Sequence, residues 1–251
     1  MWLYGASILV PLRMLARLRS PRPSLAPGGL GARFSLEVVG PQTALGPGAH
    51  FADFDDVALD YDRCVGPFAG PIFAAALDAL GPDLSRGSRV LDVGCGPGAA
   101  LRRVARLVAD GEVVGVDLSL AMLRIAHERA CRAGLANVAL FQADAAELPA
   151  SFVGAFDVAY SCLVHHHLTD PLGVLRSIAA SLRPGGMYAA IDATGPWLTR
   201  LATPLTRVVD PGWVRFWDRE RLLSQLAAVG LQRVRWVPLA PGVGMAIGTR
   251  P

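Results

Sequence analysis

An α/β fold with a mostly parallel sheet is predicted for this chain on three observations. From about residue 50 onward, strand-like and helix-like segments alternate, which implies right-handed βαβ units. The strand-like segments are apolar throughout, as expected when helices cover both faces of a sheet. The first of them runs into a glycine cluster that opens a helix, the form of a ligand loop at the C-terminal edge of such a sheet.

The elements follow in order. Asp53–Cys64 and Pro67–Leu80 carry apolar residues at helical spacing, and Gly81-Pro82 ends the second. Arg89–Val93 is a short β-branched run and is read as the first strand. Pro97–Val108 is helical, with Leu101, Val104, Ala105 and Val108 on one face. Glu112–Asp117 is the second strand. Ser119–Ala133 is the next helix, with Ser119 as N-cap and Gly134 as stop. Asn137–Gln142 and Phe156–Tyr160 are the third and fourth strands. Asp170–Leu182 is a helix that opens with Asp-Pro and closes at Arg-Pro-Gly-Gly. Met187–Ile191 is the fifth strand, and Asp218–Ala228 a helix ended by Gly230. Leu231–Val237 and Val243–Thr249 read as two strands joined by a Pro-Gly turn. With no helix between them, they are expected to run antiparallel.

Composition excludes several classes. Hydrophobic residues make up 52% of the 251 and charged residues 18%, which rules out a disordered chain. The formal net charge is +3, and beyond the N-terminal stretch the basic residues, all Arg, are dispersed. That leaves no footprint for a phosphate backbone. Cys64, Cys95, Cys131 and Cys162 form no Cys-x-x-Cys pair and match no zinc spacing, so a reduced, cytoplasmic setting and no metal are expected. No apolar run reaches the roughly 18–20 residues a transmembrane helix needs.

Residues 1–50 read as an extension and linker, and 51–251 as the folded domain. Met1–Leu12 is apolar, Arg13, Arg17, Arg19 and Arg22 follow, and no acid precedes Glu37. A poorly ordered extension is the plain reading. The same composition fits an organellar transit peptide, or a membrane-surface helix with Trp2, Leu3, Ile8, Leu12 and Leu15 on its apolar side. Ser20–Gly48, rich in Pro and Gly, is the linker.

The loop Gly94-Cys95-Gly96-Pro97-Gly98 is a weak signal alone, because Gly94, Gly96 and Ala99 also satisfy the dinucleotide pattern. Asp92 separates the two. A carboxylate two residues before the first glycine repels a pyrophosphate and suits a cationic ligand, such as the amino group of a methionine moiety. Pro97 also lacks the N–H that a pyrophosphate would use at the helix start. Asp117 ends the second strand about twenty residues on, where a carboxylate can accept both hydroxyls of a ribose; the alternative is a cap for the helix beginning near Ser119. Asp144, after the third strand, is placed to meet an adenine amino group with the Ala145 backbone beside it; a simple turn Asp is the alternative.

These residues together resemble the class I S-adenosylmethionine-dependent methyltransferases, especially the group containing ubiquinone- and menaquinone-biosynthesis and small-molecule methyltransferases. The segments that carry the resemblance are Val-Leu-Asp-Val-Gly-Cys-Gly-Pro-Gly at 90–98, Val-Gly-Val-Asp-Leu-Ser at 114–119, Ala143-Asp144-Ala145 with Leu148-Pro149, Phe156-Asp157-Val158 through His166-His167-Leu168, and Leu182-Arg183-Pro184-Gly185-Gly186. The resemblance runs from about residue 51 to the end. It implies a Rossmann-like three-layer sandwich, its seven-stranded, mostly parallel sheet having an antiparallel last strand. It implies S-adenosyl-L-methionine as cofactor, held by Asp92, Gly94, Cys95, Gly96, Gly98, Asp117, Leu118, Met122, Asp144, Ala145 and Ser161, with Tyr61 closing over it. The triple His165-His166-His167 departs from the family, which usually has an apolar residue before a His pair.

Methyl transfer from a sulfonium is an in-line displacement, helped by alignment and exclusion of water. For a phenolic or acidic-carbon acceptor a base also helps, and His166 and His167, after the fourth strand, are the candidates. The alternative is a structural His that shapes the pocket. Three neighbouring His on a short loop do not point at one ion. The long stretch Ala193–Trp217 carries Trp197, Trp213, Phe216 and Trp217, which either wall an apolar acceptor pocket or pack in the core. Arg200, Arg207 and Arg215 could instead meet an acidic group on the acceptor. Ser161-Cys162-Leu163-Val164 lacks the Asn-Pro-Pro-Tyr type of motif for flipped-out bases, which again argues against nucleic acid. The expected partner is a small apolar acceptor: a quinone, a lipid or a secondary metabolite. Two rivals stand beside this reading: a non-catalytic S-adenosylmethionine-binding partner subunit, and an NAD(P)-dependent oxidoreductase, against which Asp92 speaks.

Overall fold

The computed structural model describes residues 69–194, 214 and 217–251. The extension, the helix expected over Asp53–Cys64, Tyr61 and nearly all of the aromatic stretch before Trp217 lie outside those residues.

A helix over 69–80 (α1) precedes the first strand, β1 (Arg89–Val93). Then come α2 (Ala99–Leu107), β2 (Glu112–Asp117), α3 (Leu120–Arg132), β3 (Val138–Gln142) and β4 (Phe156–Cys162). The chain closes with α4 (Pro171–Ser181), β5 (Leu182–Ala193), α5 (Arg219–Ala228), β6 (Gln232–Ala240) and β7 (Val243–Thr249). The strands form one seven-stranded sheet of order β3-β2-β1-β4-β5-β7-β6. β1 to β5 pair in parallel, and β7 runs antiparallel to both β5 and β6. This is the expected Rossmann-like sandwich, with the last strand antiparallel.

Local chemistry explains the helix limits. Ser119 Oγ accepts from Met122 N–H at 3.1 Å, Asp170 from Gly173 N–H at 3.0 Å and Asp218 from Arg221 N–H at 2.7 Å. Each such cap satisfies an otherwise orphaned amide and is worth about 1 kcal/mol. At the far ends of α3 and α5, Gly134 and Gly230 take φ +66° and +85°. The next residues, Leu135 and Leu231, donate back to Ala130 and Leu226 carbonyls at 3.0 and 3.2 Å, closing Schellman turns.

Alternation along the strands sorts the core into two layers. Val90, Val113, Leu140 and Val158 pack with Leu80 of α1, Leu101 and Val104 of α2 and Leu123 of α3. Leu91, Val114, Val116 and Ala159 pack on the other face with Leu175 and Ile178 of α4 and Leu222 and Leu226 of α5. Truncating a fully buried member such as Leu101 to Ala should cost about 2–5 kcal/mol.

Several boundaries differ from expectation, those of β4 and β5 most instructively. β4 runs on to Cys162, two residues past Tyr160. β5 begins at Leu182, so Arg-Pro-Gly-Gly lies inside it. The pairing jumps from Phe156↔Leu182 to Val158↔Met187, so the tetrapeptide bulges out of register. Backbone hydrogen bonds from Gly185 to Arg250 and from Arg250 to Gly186, at 2.9 and 2.8 Å, tie the bulge to the last residues. The turn exists as chemistry while the ladder continues around it.

The strand order reverses between β1 and β4, and the connections leaving these strands open a crevice at one sheet edge.

Candidate active site

The glycine loop leaves β1 at that crevice. Gly94 and Cys95 donate their amides to the Val116 carbonyl at 2.8 and 3.0 Å, which pins the loop to β2. Gly94, Gly96 and Gly98 have φ of +68°, +51° and +74°. A Cβ at Gly94 would lie 2.5 Å from Val164 Cγ2, and one at Gly98 would lie 3.0 Å from Ala126 Cβ. At Gly96 it would meet nothing within 4 Å. Two glycines therefore serve packing, and Gly96 leaves an open cradle beside the backbone.

Asp117, at the end of β2, accepts from Gly96 N–H at 2.8 Å with one carboxylate oxygen and from Ser119 N–H at 2.9 Å with the other. It is both the turn-forming acid before α3 and an acid aimed at the loop. Leu118 contributes its carbonyl, which accepts from Gln142 Nε2 at 3.0 Å, and the Met122 side chain is buried beside Ile125. Asp144, after β3, accepts from Ala146 N–H at 2.8 Å and so caps the short 3-10 turn that Ala145 begins. The loop, Asp117 and Asp144 thus follow three adjacent parallel strands at their common edge.

Two of the expected contact residues have buried side chains. The Cys95 side chain packs in the core layer with Leu101 and Leu140, and burial pushes its thiol up. The Ser161 hydroxyl is buried on the opposite face, 2.7 Å from the Tyr188 hydroxyl, which lies 2.7 Å from His165 Nε2. Strand alternation turns the Ser161 side chain inward, and the loop after β1 folds that of Cys95 into the core.

Asp92 is 2% exposed and accepts from the Tyr160 hydroxyl at 2.6 Å. Burial pushes its carboxyl up to about 7, against the Tyr160 hydrogen bond, and the charge of Asp117 adds to the rise. Among the described residues no cation pairs with it. A buried carboxylate without a counter-charge is costly, and a cationic ligand group would relieve the cost.

Across the crevice, Leu163 takes φ +58°, a left-handed turn that bends the chain after β4 into the 3-10 turn His165–His167. His166 is buried there. Its Nδ1 lies 2.7 Å from Asp192 Oδ1, and its own amide donates to Asp192 Oδ2 at 3.1 Å. Asp192, fully buried near the end of β5, also accepts from Ala193 N–H at 2.6 Å. Burial opposes the Asp192 charge, but His166, His165 and the Ala193 amide outweigh it and hold the carboxyl below its usual value. His165 is driven down to about 4, chiefly by burial, and is neutral. The His167 ring lies 4.0 Å from the His166 ring, and its amide closes the turn on the Val164 carbonyl. Trp217 is fully buried, edge-on to His165 at 6.0 Å.

Asp192 and Tyr160 were missed by sequence reasoning. An acid ending an apolar strand, the signal used for Asp117, marks Asp192 equally well. Nothing in the sequence marks Tyr160, which faces Asp92 only through the β1–β4 register.

The acids fit a ligand with a cationic end and a ribose, the Gly96 cradle lying between them. S-adenosylmethionine has both. Comparison with known proteins agrees. The model of a family described as "Methyltransferase domain" matches residues 90–186, from the strand bearing Asp92 to the bulge in β5. A ubiquinone biosynthesis O-methyltransferase of Albidiferax ferrireducens is 38% identical over 55% of this chain and 55% of its own length. Aklanonic acid methyltransferase DauC of a Streptomyces species is 34% identical over 61% of this chain and 70% of its own. Among solved structures, the YcgJ protein of Bacillus subtilis superposes with a TM-score of 0.60 at 26% identity, over 65% of this chain and 70% of that one. The chain spans about half the length of most curated relatives it matches, such as 55% of the ubiquinone enzyme and 49% of nocamycin O-methyltransferase from Saccharothrix syringae. With a match that takes in the glycine loop and the strand-end acids just described, and a relative 34% identical over 70% of its own length, the chain belongs to the S-adenosylmethionine-dependent methyltransferase family.

Proposed function

We propose that this protein methylates an acidic oxygen or carbon of a small, largely apolar molecule, with His166 as general base. The buried His166–Asp192 pair, 2.7 Å apart at the same sheet edge as the glycine loop, carries this reading. S-adenosylmethionine supplies the methyl group, carried on a sulfonium that leaves as a neutral thioether. Asp92 would face the ammonium of its methionine end, Asp117 the ribose diol and Asp144 the adenine, a reading supported by their positions on β1, at the end of β2 and just after β3.

The chain's own part on the acceptor side is to take a proton. A proton on His166 Nδ1 shared with Asp192 leaves Nε2 as the basic atom. As His166 gains the acceptor's proton, the Asp192 charge stabilises the imidazolium. At an effective dielectric of about 20 and a charge separation of about 4 Å this is worth about 4 kcal/mol, roughly a thousandfold in rate. His166, whose ring and amide are both held by Asp192, is the base we propose. The relatives' names, for ubiquinone biosynthesis and for aklanonic acid, support a small-molecule acceptor. The thiols of Cys95, Cys131 and Cys162 are unpaired, in keeping with a reduced cytoplasmic setting. Among the described residues no helix is long and apolar enough to cross a membrane.

The test is methyl transfer from S-adenosylmethionine to a panel of catechols and hydroxylated naphthoquinones. For any acceptor turned over, His166→Gln should lower kcat by about 10²–10⁴-fold and leave cofactor affinity intact. Asp192→Asn should lower kcat in the same direction. Full activity in His166→Gln would remove the base, and a folded wild type that ignores S-adenosylmethionine would remove the whole reading.

A further inference from the structure

Asp92 and Tyr160 are register partners on adjacent central strands, β1 and β4. Equivalent residues of neighbouring strands point to the same face, so the phenol stands beside the carboxylate by construction. The other register partner of Asp92, on β2, is Gly115. A Cβ there would lie 2.5 Å from Leu101 Cδ1, 2.8 Å from Leu140 Cδ2 and 2.9 Å from Cys95 Sγ. Apolar groups therefore fill that side of Asp92, and among the described residues the Tyr160 hydroxyl, at 2.6 Å, is the one side-chain donor to it.

We propose that Tyr160 is a positioning residue for the cofactor site: its hydroxyl anchors the Asp92 carboxylate and donates to it, the arrangement a cationic ligand group requires. The inference rests on the reading that Asp92 faces the ammonium of S-adenosylmethionine.

Three physical facts support it. A buried carboxylate can take either of two protonation states, and burial favours the neutral one. A neutral Asp92 would offer no charge to an ammonium and could turn its own O–H toward Tyr160. Donation from Tyr160 opposes both, because a hydroxyl hydrogen bond stabilises the charged form. Tyr160 itself stays protonated and remains the donor, since burial and the neighbouring Asp92 charge push its phenol well up.

The titratable groups around Asp92 all bear on the balance. Asp117, from the end of β2, raises its carboxyl. Cys95, from the loop after β1, and Cys162, at the end of β4, are buried thiols pushed up by burial and by acidic neighbours, and they stay neutral. No described residue of α1, α2 or α3 brings a cation to it. The ligand is thus the natural counter-charge, and Tyr160 is what prepares the carboxylate for it.

Tyr160→Phe removes one oxygen and keeps the ring that packs with Val158 and Ile191. The measurement is calorimetric titration of wild type, Tyr160→Phe, Asp92→Asn and the double variant, at several pH values from about 6 to about 8.5. Two ligands are used: S-adenosylmethionine, and 5′-methylthioadenosine, which has the same nucleoside and no ammonium. Loss of a hydrogen bond to a charged group predicts that Tyr160→Phe binds S-adenosylmethionine roughly 10- to 100-fold more weakly near pH 7. The ratio to wild type, which cancels the ligand's own titration, should shrink toward high pH. Proton release on binding, read from the dependence of the heat on the buffer, should be larger in Tyr160→Phe than in wild type. Affinity for 5′-methylthioadenosine should not change, and Tyr160→Phe should add nothing to Asp92→Asn.

Equal weakening for both ligands would show a merely structural role and overturn the proposal. So would an unchanged affinity for S-adenosylmethionine at every pH. A folded wild type that binds neither ligand fails at the earlier step, the cofactor assignment, and takes this inference with it.

Discussion

Asp117→Ala should weaken S-adenosylmethionine binding ten- to more than a hundredfold. The structure supplies the magnitude. Two backbone amides, at 2.8 and 2.9 Å, hold the carboxylate oriented at the end of β2. A hydrogen bond to a charged acceptor is worth about 1.5–3 kcal/mol, and each 1.4 kcal/mol or so is tenfold in affinity. Part of the loss will come from elsewhere, because Gly96 N–H loses its acceptor and the loop slackens. Two nucleosides separate the parts. Calorimetry with 5′-methylthioadenosine should show the full effect, and its 2′,3′-dideoxy counterpart only the loop's share. The reasoning fails if folded Asp117→Ala binds S-adenosylmethionine within about threefold of wild type, or if both nucleosides weaken equally.

Other perturbations test other parts. Gly94→Ala and Gly96→Ala both pay the roughly 1–2 kcal/mol of a left-handed Cβ, but only Gly94→Ala also drives a methyl toward Val164, adding about 1–3 kcal/mol. Gly94→Ala should melt lower in the absence of ligand, whereas Gly96→Ala should chiefly lose cofactor affinity; equal melting temperatures would count against the cradle. Tyr188→Phe strips the partner from Ser161 and His165 and should cost about 1–3 kcal/mol in urea unfolding, a loss absent if the buried network contributes nothing. Asp92 makes ligand-free stability depend on pH. Its folded carboxyl sits near 7 against about 3.9 unfolded, so its contribution is complete below about pH 4 and is lost as pH rises through about 7. Asp92→Asn should therefore gain on wild type as pH rises from about 5 to about 8, and a constant difference would contradict the raised value.

The fold was legible because local signals and the global pattern coincide. Ser119, Asp170 and Asp218 cap helices where a short polar side chain precedes an apolar run, and Gly134 and Gly230 stop them. The limits of β5 were not legible, because Arg-Pro-Gly-Gly is turn chemistry and only the neighbouring β4 and the chain's last residues hold it within the ladder. The places of the glycine loop, Asp117 and Asp144 could be read as well, since each lies at or just past the end of a strand. The acceptor side could not. His166 is visible as a histidine after β4, but its partner Asp192 lies 26 residues away and meets it only once β4 and β5 pair. Ser161 shows the converse. It sits at the right level of β4, yet the period-two alternation sends its hydroxyl to the core face.

The reversal of strand order between β1 and β4 has an evolutionary consequence. Every acid proposed for the cofactor lies on or just after one wing of the sheet, β1 to β3, while the proposed base lies after β4 and its partner on β5. A recombination or graft that exchanged the second wing would bring a new acceptor preference and leave the nucleoside grip untouched. The Asp92–Tyr160 contact crosses that seam. A chimera that carried a different residue at position 160 would inherit the grip on the nucleoside with a weaker hold on its amino-acid end.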